Sequence, residues 1–202
     1  MSAGPVADRV YARLRERLLR HHYRPGERLE LIELCAELAS SNTPVRDALN
    51  RLLGEGLVET PGRDGFNVPA FDEPALADLY RWSGELMRLA LARGARTGRP
   101  QVRLDPGDLP YPARVATLFE AIAERSDNCE HARAVEQVCA RLSPVRWIEP
   151  GLFPDVDAEF EVLRGHFCSG SDARLRQALH RFHARRIQRA SALVRLLYRA
   201  GP

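Results

Sequence analysis

The stretch from Leu34 to Val68, LCAELASSNTPVRDALNRLLGEGLVETPGRDGFNV, constrains this chain more than any other. The polar knot Ser40-Ser41-Asn42-Thr43-Pro44 separates two runs of helical periodicity. Ser41 or Asn42 is placed to cap a helix, and Pro44 falls at an early helical position where a missing N–H costs nothing. Val45, Ala48, Leu49 and Leu52 then share one helical face, and Gly54 and Gly56 end the run. Leu57 to Thr60 reads as a strand, Pro61 to Gly65 as a turn, and Phe66 to Pro69 as the returning strand. The predicted order is helix, tight turn, helix, hairpin.

The flanks fit around that unit. Val6, Val10, Leu14 and Leu18 repeat at helical spacing, predicting a helix over 6–21 that the Tyr23-Arg24-Pro25-Gly26 turn ends. Leu29 and Leu31 read as a short strand or an extended entry, and Ile32 to Leu38 as a second helix with Leu34 and Leu38 inward. Phe71 to Pro74 marks a junction. Beyond it, helices are predicted over about 74–96, 113–125, 130–142, 157–168 and 172–198. A Pro/Gly-rich loop is expected at 97–112, and a second loop around Pro144, Pro150, Gly151 and Pro154. The fold class is mainly α, with a winged helix-turn-helix over 1–71 followed by an all-α bundle over 72–202.

The helix that opens at the polar knot has the chemistry of a major-groove reader. Such a helix meets base edges with its N-terminal residues, which must be small and polar or carry a cation, above an apolar underside. Ser41, Asn42, Thr43 and Arg46 meet that demand. Hydroxyls and N–H groups suit phosphates, while Asn pairs with adenine and Arg with guanine. Arg63 and Gly65 fall at the hairpin tip, where an Arg reaches the minor groove or a phosphate. The plain alternative is a capped helix followed by an ordinary hairpin.

Bulk charge does not decide between these. The 202 residues carry a net charge of +3, and within 1–71 ten Arg and ten Asp or Glu cancel. All 30 basic residues are Arg, a usage that fits GC-rich coding and a bacterial source. No apolar run approaches the ~18 residues of a membrane span, and charges interrupt the first twenty residues, so a cytoplasmic protein without a membrane partner is expected. Cys35, Cys129, Cys139 and Cys168 are scattered without a CxxC pair, which predicts small buried side chains in a reducing compartment. No nucleophile–base pair or phosphate loop points to an enzyme.

The run from Arg24 to Val68 resembles the GntR superfamily of bacterial transcription regulators, most closely the FadR-type branch with an FCD effector domain. PGERL, S-N-T-P-V-R-D-A-L, EGLVE and GFNV match that family's pattern nearly in register over about residues 6–70. The resemblance implies DNA contacts at Ser41, Asn42, Thr43 and Arg46, with Gly65 at the wing. Asn42 stands where the family usually has Arg, and Asp64 where the wing often has Arg or His, so an altered operator preference is expected.

In FCD domains one Asp and three His bind a metal beside the effector. By alignment those positions become Val115, Phe119, Phe160 and Phe182 here, and the family's Arg and Glu on the first bundle helix become Ser83 and Met87. These side chains offer no metal ligands. If they converge they form an aromatic cluster in which two ring contacts contribute about 1 kcal/mol each. No metal or other cofactor is expected, and a carboxylate effector held by metal and Arg is disfavoured. A shifted register would revive His180 and His183 as ligands, with His166 upstream; solvated or capped histidines are the simpler reading. Arg185, Arg186 and Arg189 read as a solvated helix face.

The resemblance therefore implies a homodimeric repressor that reads a pseudo-palindromic double-stranded operator. Its bundle either binds an apolar or aromatic small-molecule effector or serves as a solid-core dimerisation module. The alternative is a degenerate regulator that acts as a protein-interaction or ligand-sequestering module without specific DNA binding.

Overall fold

The structure, a computed structural model, describes residues 4–62, 65–94 and 106–200. Contacts divide the chain into two compact units, residues 1–71 with 197–202 and residues 72–196.

The first unit begins with α1 (Pro5–Leu19), α2 (Leu31–Glu37) and α3 (Asn42–Gly54). α1 packs on α3, burying Val10, Leu14 and Leu18 against Val45, Ala48, Leu49 and Leu52; Leu34 and Leu38 of α2 join them. Val6, the expected fourth member of the α1 stripe, is 48% exposed. Each fully buried aliphatic side chain contributes about 1.5–3 kcal/mol, so this stripe is what holds α3 in place. Polar pairs at its edge fix the crossing. Arg15 Nε donates to Glu55 Oε2 at 3.0 Å, Tyr11 donates to the same carboxylate, and Arg51 pairs with Asp8 at 2.8 Å.

The expected hairpin strands shrink to single bridges among the described residues. Glu59 and Asn67 exchange two backbone bonds of 2.8 Å. Asn67 also faces Arg28, and the segment at 26–29 joins through Leu29 N to Phe66 O at 2.8 Å and Gly26 N to Val68 O at 2.9 Å. The extended entry around Leu29 is thus the third strip of the wing. Pro61 and Pro69 lack the N–H that would lengthen the ladder.

The second unit contains α4 (Glu73–Gly94), α5 (Tyr111–Glu124), α6 (Cys129–Ile148), a 3-10 turn (Glu149–Gly151), α7 (Val156–Cys168) and α8 (Asp172–Gln188); α9 (Ala190–Arg199) begins in it. α4 packs on α5, α6 and α8, while α7 packs on α5 and α8. Two expectations need correction. α6 does not stop at Leu142 but runs through Pro144, because Val145 and Arg146 beyond it are fully buried and packing outweighs the lost backbone bond. The single helix expected over 172–198 breaks at Arg189, where φ −110° and ψ 13° leave the helical region. Part of the expected 97–112 loop, residues 95–105, lies outside the described residues.

Of the four cysteines, Cys139 alone is buried; Cys129 is exposed, and Cys35 and Cys168 are half-buried, so the uniform burial expected for them does not hold. Among the described residues no helix is long and apolar enough to cross a membrane.

Candidate functional site

The apolar underside of α3 fixes which of its residues face solvent. With Val45, Ala48, Leu49 and Leu52 turned inward, Ser41, Asn42, Thr43 and Arg46 are all exposed, and Asp47 and Asn50 continue the same surface. Ser41 holds the N-cap position with an extended backbone (φ −85°, ψ 170°) but makes no side-chain cap bond, so its hydroxyl remains available. Arg46 makes no hydrogen bond or ion pair among the described residues, in contrast to Arg15 and Arg51 on the packed side. Asn42 is partly engaged, since its Oδ1 accepts from the Cys35 thiol at 3.2 Å. A thiol is a weak donor, and this bond holds the Asn42 amide against α2 without consuming its N–H groups.

The turn that presents α3 is strained at one place. Ala39 has φ +46°, in the left-handed region that glycine occupies without cost. At the wing, Gly65 has φ +108° and no side chain; a Cβ there would lie 3.7 Å from the guanidinium of Arg28. Arg28 is therefore a cation at the wing tip that the sequence reading missed. It is exposed and pairs with Glu30 at 2.8 Å. Its signal was the odd spacing of Arg28 beside a turn, which only the pairing of 26–29 with the wing makes meaningful. Arg63, the cation expected at the tip, lies outside the described residues, as does Asp64.

The second set of expected positions lies in the core of the second unit. Ser83, Met87, Val115, Phe119, Phe160 and Phe182 are all buried. Phe119 and Phe182 meet edge to face with ring centroids 5.6 Å apart. Phe160 joins neither ring among the described residues; the Arg114 guanidinium lies 5.0 Å from its centroid instead. The third aromatic partner is His183, at 5.6 Å from Phe119 and 5.2 Å from Phe182. A metal of the kind FCD domains carry does not fit here. Val115 and the three Phe supply no donor atom, and no group of three His, Cys, Asp or Glu suited to a metal occurs among the described residues.

His183 corrects the expectation of a solvated or capped histidine. Its Nε2 stands 3.1 Å from Ser83 Oγ and its Nδ1 2.7 Å from Leu179 O, and the side chain is buried at the floor of the cleft between α4 and α8. Burial, with Arg186 and Arg146 nearby, pushes its pKa down to about 3, which keeps the ring neutral. His180, one helical turn away, is exposed and lines an open cleft between α4 and α8 of about 770 Å³, with Arg81, Arg88 and Arg176 around the mouth.

Arg186 corrects a second expectation. It is not part of a solvated face but wholly buried, donating Nε to Glu149 Oε2 at 3.0 Å, Nη1 to Phe182 O at 2.9 Å, and Nη2 to Tyr111 Oη and Glu159 Oε2 at 2.8 Å each. Glu149, also fully buried, accepts from Tyr80 at 2.5 Å and Tyr111 at 2.8 Å. Burial beside that carboxylate holds both tyrosine hydroxyls well above their ordinary range. Arg146 completes the group, its Cζ 5.2 Å from the Phe119 ring centroid. The sequence carried a signal for these charges. Leu175, Leu179, Phe182 and Arg186 form one helical stripe, as do Val135, Cys139, Leu142 and Arg146, so each Arg closes an apolar series.

A helix pair with a tight turn, a wing, and an unpaired polar face on the second helix define a DNA-reading module. Residues 6–68 match the gntR family of bacterial regulatory proteins. The chain is 30% identical over 142 residues to the Nta operon transcriptional regulator of Aminobacter aminovorans, covering 64% of this chain and 68% of that protein. It is 30% identical over 135 residues to the transcriptional regulator McbR of Escherichia coli K12, covering 60% and 61%. The solved structure of E. coli McbR/YncC superposes with a TM-score of 0.68 at 20% identity, over 95% of this chain and 99% of that one. A GntR regulator from Rhodococcus sp. RHA1 also gives 0.68, at 18% identity over 92% and 97%. The chain belongs to the GntR family and is a DNA-binding transcriptional regulator. Its relatives lend no support to a sequestering module without DNA binding.

Proposed function

We propose that the protein is a homodimeric bacterial repressor that acts in the cytoplasm on a pseudo-palindromic double-stranded operator. In this reading residues 1–71 are the DNA-binding domain and residues 72–202 an FCD-like domain for dimerisation and effector binding. The observation that carries it is the exposed, unpaired set at the start of α3: Ser41, Thr43 and Arg46, with Asn42 tethered by one weak bond. Those four residues enter the major groove, while Gly65 lets the wing backbone approach the adjacent phosphates and Arg63 supplies a cation there. Two copies related by a two-fold axis read half-sites about one helical turn apart. Trp82 and Leu89, two turns apart on one face of α4, are 49% and 42% exposed and suit a helix–helix contact between copies. Repression follows from operator occupancy; the relative GlaR of E. coli, 31% identical over 88 residues, is named a repressor.

An effector of apolar or aromatic character would lie against the Phe119–Phe182 wall, with Ser83, Met87, Val115 and Phe160 nearby in the same core, and shift the balance between DNA-competent and incompetent arrangements.

The test is selection of binding sites from random duplex DNA, followed by gel shift against salt. Recovery of a two-fold symmetric site with half-sites one turn apart is the expected result. Recovery of no preferred sequence would overturn the reading.

A further inference from the structure

Asn42 is the first residue of α3, and a neighbour on α2 decides which end of its amide faces outward. Leu34 and Leu38 turn inward on α2, and Cys35 stands half-buried at the edge of that face. Two contacts tie Cys35 to the segment that leads into α3. Its carbonyl accepts from Ser40 N at 3.0 Å, and its thiol donates to Asn42 Oδ1 at 3.2 Å. The left-handed Ala39, at φ +46°, turns the chain back so that one residue reaches both partners. The backbone bond fixes where the sulfur lies, and the sulfur takes the oxygen end of the Asn42 side chain.

The nitrogen end stays free. Asn42 is exposed, and its Nδ2 makes no hydrogen bond among the described residues. That orientation matters for base reading. A free asparagine pairs with adenine because it shows oxygen and nitrogen on one edge, accepting from N6 and donating to N7. An amide whose oxygen is held by a thiol shows donors instead. Guanine presents two acceptors, O6 and N7, to the same groove, whereas the N6–H group of adenine would find no acceptor on such an edge. A thiol is a weak donor, yet even a weak net hydrogen bond biases the orientation of an exposed amide about 3-fold.

We propose that Cys35 is a positioning residue for Asn42: it holds the amide oxygen against α2, so that Asn42 reads guanine and not the adenine expected of a free asparagine. This rests on the reading of α3 as the major-groove helix, and it assigns the base that one residue of that helix selects.

The experiment is selection of sites from random duplex DNA by the full chain and its variants, with base frequencies counted at each position. Asn42→Ala marks the position that Asn42 reads, as the one whose preference it loses. The wild type is expected to recover guanine over adenine there. Cys35→Ala frees the oxygen and is expected to lower the guanine-to-adenine ratio about 3-fold at that position alone. Cys35→Ser returns a donor and is expected to restore the ratio, which a mere change in packing or stability would not do. In an Asn42→Ala background, Cys35→Ala is expected to change nothing. Recovery of any base other than guanine by the wild type, an unchanged ratio in Cys35→Ala, a Cys35→Ser variant that behaves like Cys35→Ala, or an Asn42→Ala variant that loses no preference overturns the role of Cys35. In each of those cases a recovered two-fold site leaves the operator reading standing. If the wild type recovers no preferred sequence, both fall.

Discussion

Ser83 on α4 and His183 on α8, one hundred positions apart in the chain, meet at 3.1 Å between Oγ and Nε2, and both side chains are buried. Nδ1 of the same ring lies 2.7 Å from the Leu179 carbonyl and donates to it, so Nε2 is the acceptor and Ser83 the donor. Beside them Gly84 leaves room: a Cβ there would stand 3.3 Å from the His183 ring. The contact joins the two helices with a neutral imidazole.

That neutrality sets a pH dependence. His183 has a folded pKa of about 3 against 6.5 when unfolded. Between those values the unfolded chain binds the proton and the folded one does not. The contribution of His183 to stability is therefore complete above about pH 6.5 and is lost as pH falls towards 3, by at most about 1.4 kcal/mol per pH unit. Arg186, Arg146 and His180 face the ring and add to the cost of charging it. The Tm of the wild type should fall between pH 7 and pH 4 more steeply than that of His183→Gln; parallel profiles would refute it.

Arg46→Ala should abolish preference for a selected operator while leaving the unfolding free energy within about 0.5 kcal/mol of wild type, since an exposed, unpartnered side chain contributes little to folding. The loss of one base-reading Arg is about 1–3 kcal/mol of discrimination. Arg28→Ala, at the wing, should act differently. It should weaken binding to all duplexes alike and lower the slope of log K against log salt by about 1. Quantitative gel shifts at several salt concentrations separate the two.

Ala39→Gly should stabilise the protein by about 1 kcal/mol, because glycine relieves the left-handed backbone at φ +46° between α2 and α3. Urea denaturation followed by circular dichroism measures the shift in midpoint.

Glu149→Gln should cost about 3–5 kcal/mol, because it leaves Arg186 without its innermost counter-charge. The double variant Glu149→Gln with Arg186→Met should recover part of that loss. A single variant as stable as wild type would show that the pair is not the keystone of this core.

The first unit was legible in the sequence because its signals are local. Val45, Ala48, Leu49 and Leu52 repeat at 3.6 residues, and a polar knot immediately precedes them, so the inward and outward faces of α3 follow without tertiary knowledge. The wing was less so, because its third strip at 26–29 is paired across nearly forty residues. The second unit was misread where a residue type argued against its position. A run of Arg at 185, 186 and 189 suggests water, yet one residue advances a helix by 100°, enough to turn Arg186 inward beside a half-buried Arg185. Arg146 and Glu149 were hidden by Pro144, which suggests a loop. Phe119 and Phe182 were placed by family alignment and do meet; Phe160, placed the same way, meets Arg114.

The passage of α6 through Pro144 has a mechanical consequence. A proline there donates nothing to the carbonyl of Ala140, so the final turn is fastened to the rest of its helix by one strand fewer. That turn, with the 3-10 segment after it, carries Arg146 and Glu149. The two groups most expensive to keep out of water thus ride on the least self-supporting part of the helix, and the latch that keeps it shut is the set of side chains reaching in from α4, α5 and α8. Anything that loosens Tyr80, Tyr111 or Arg186 frees the tip of α6 before it frees the bundle.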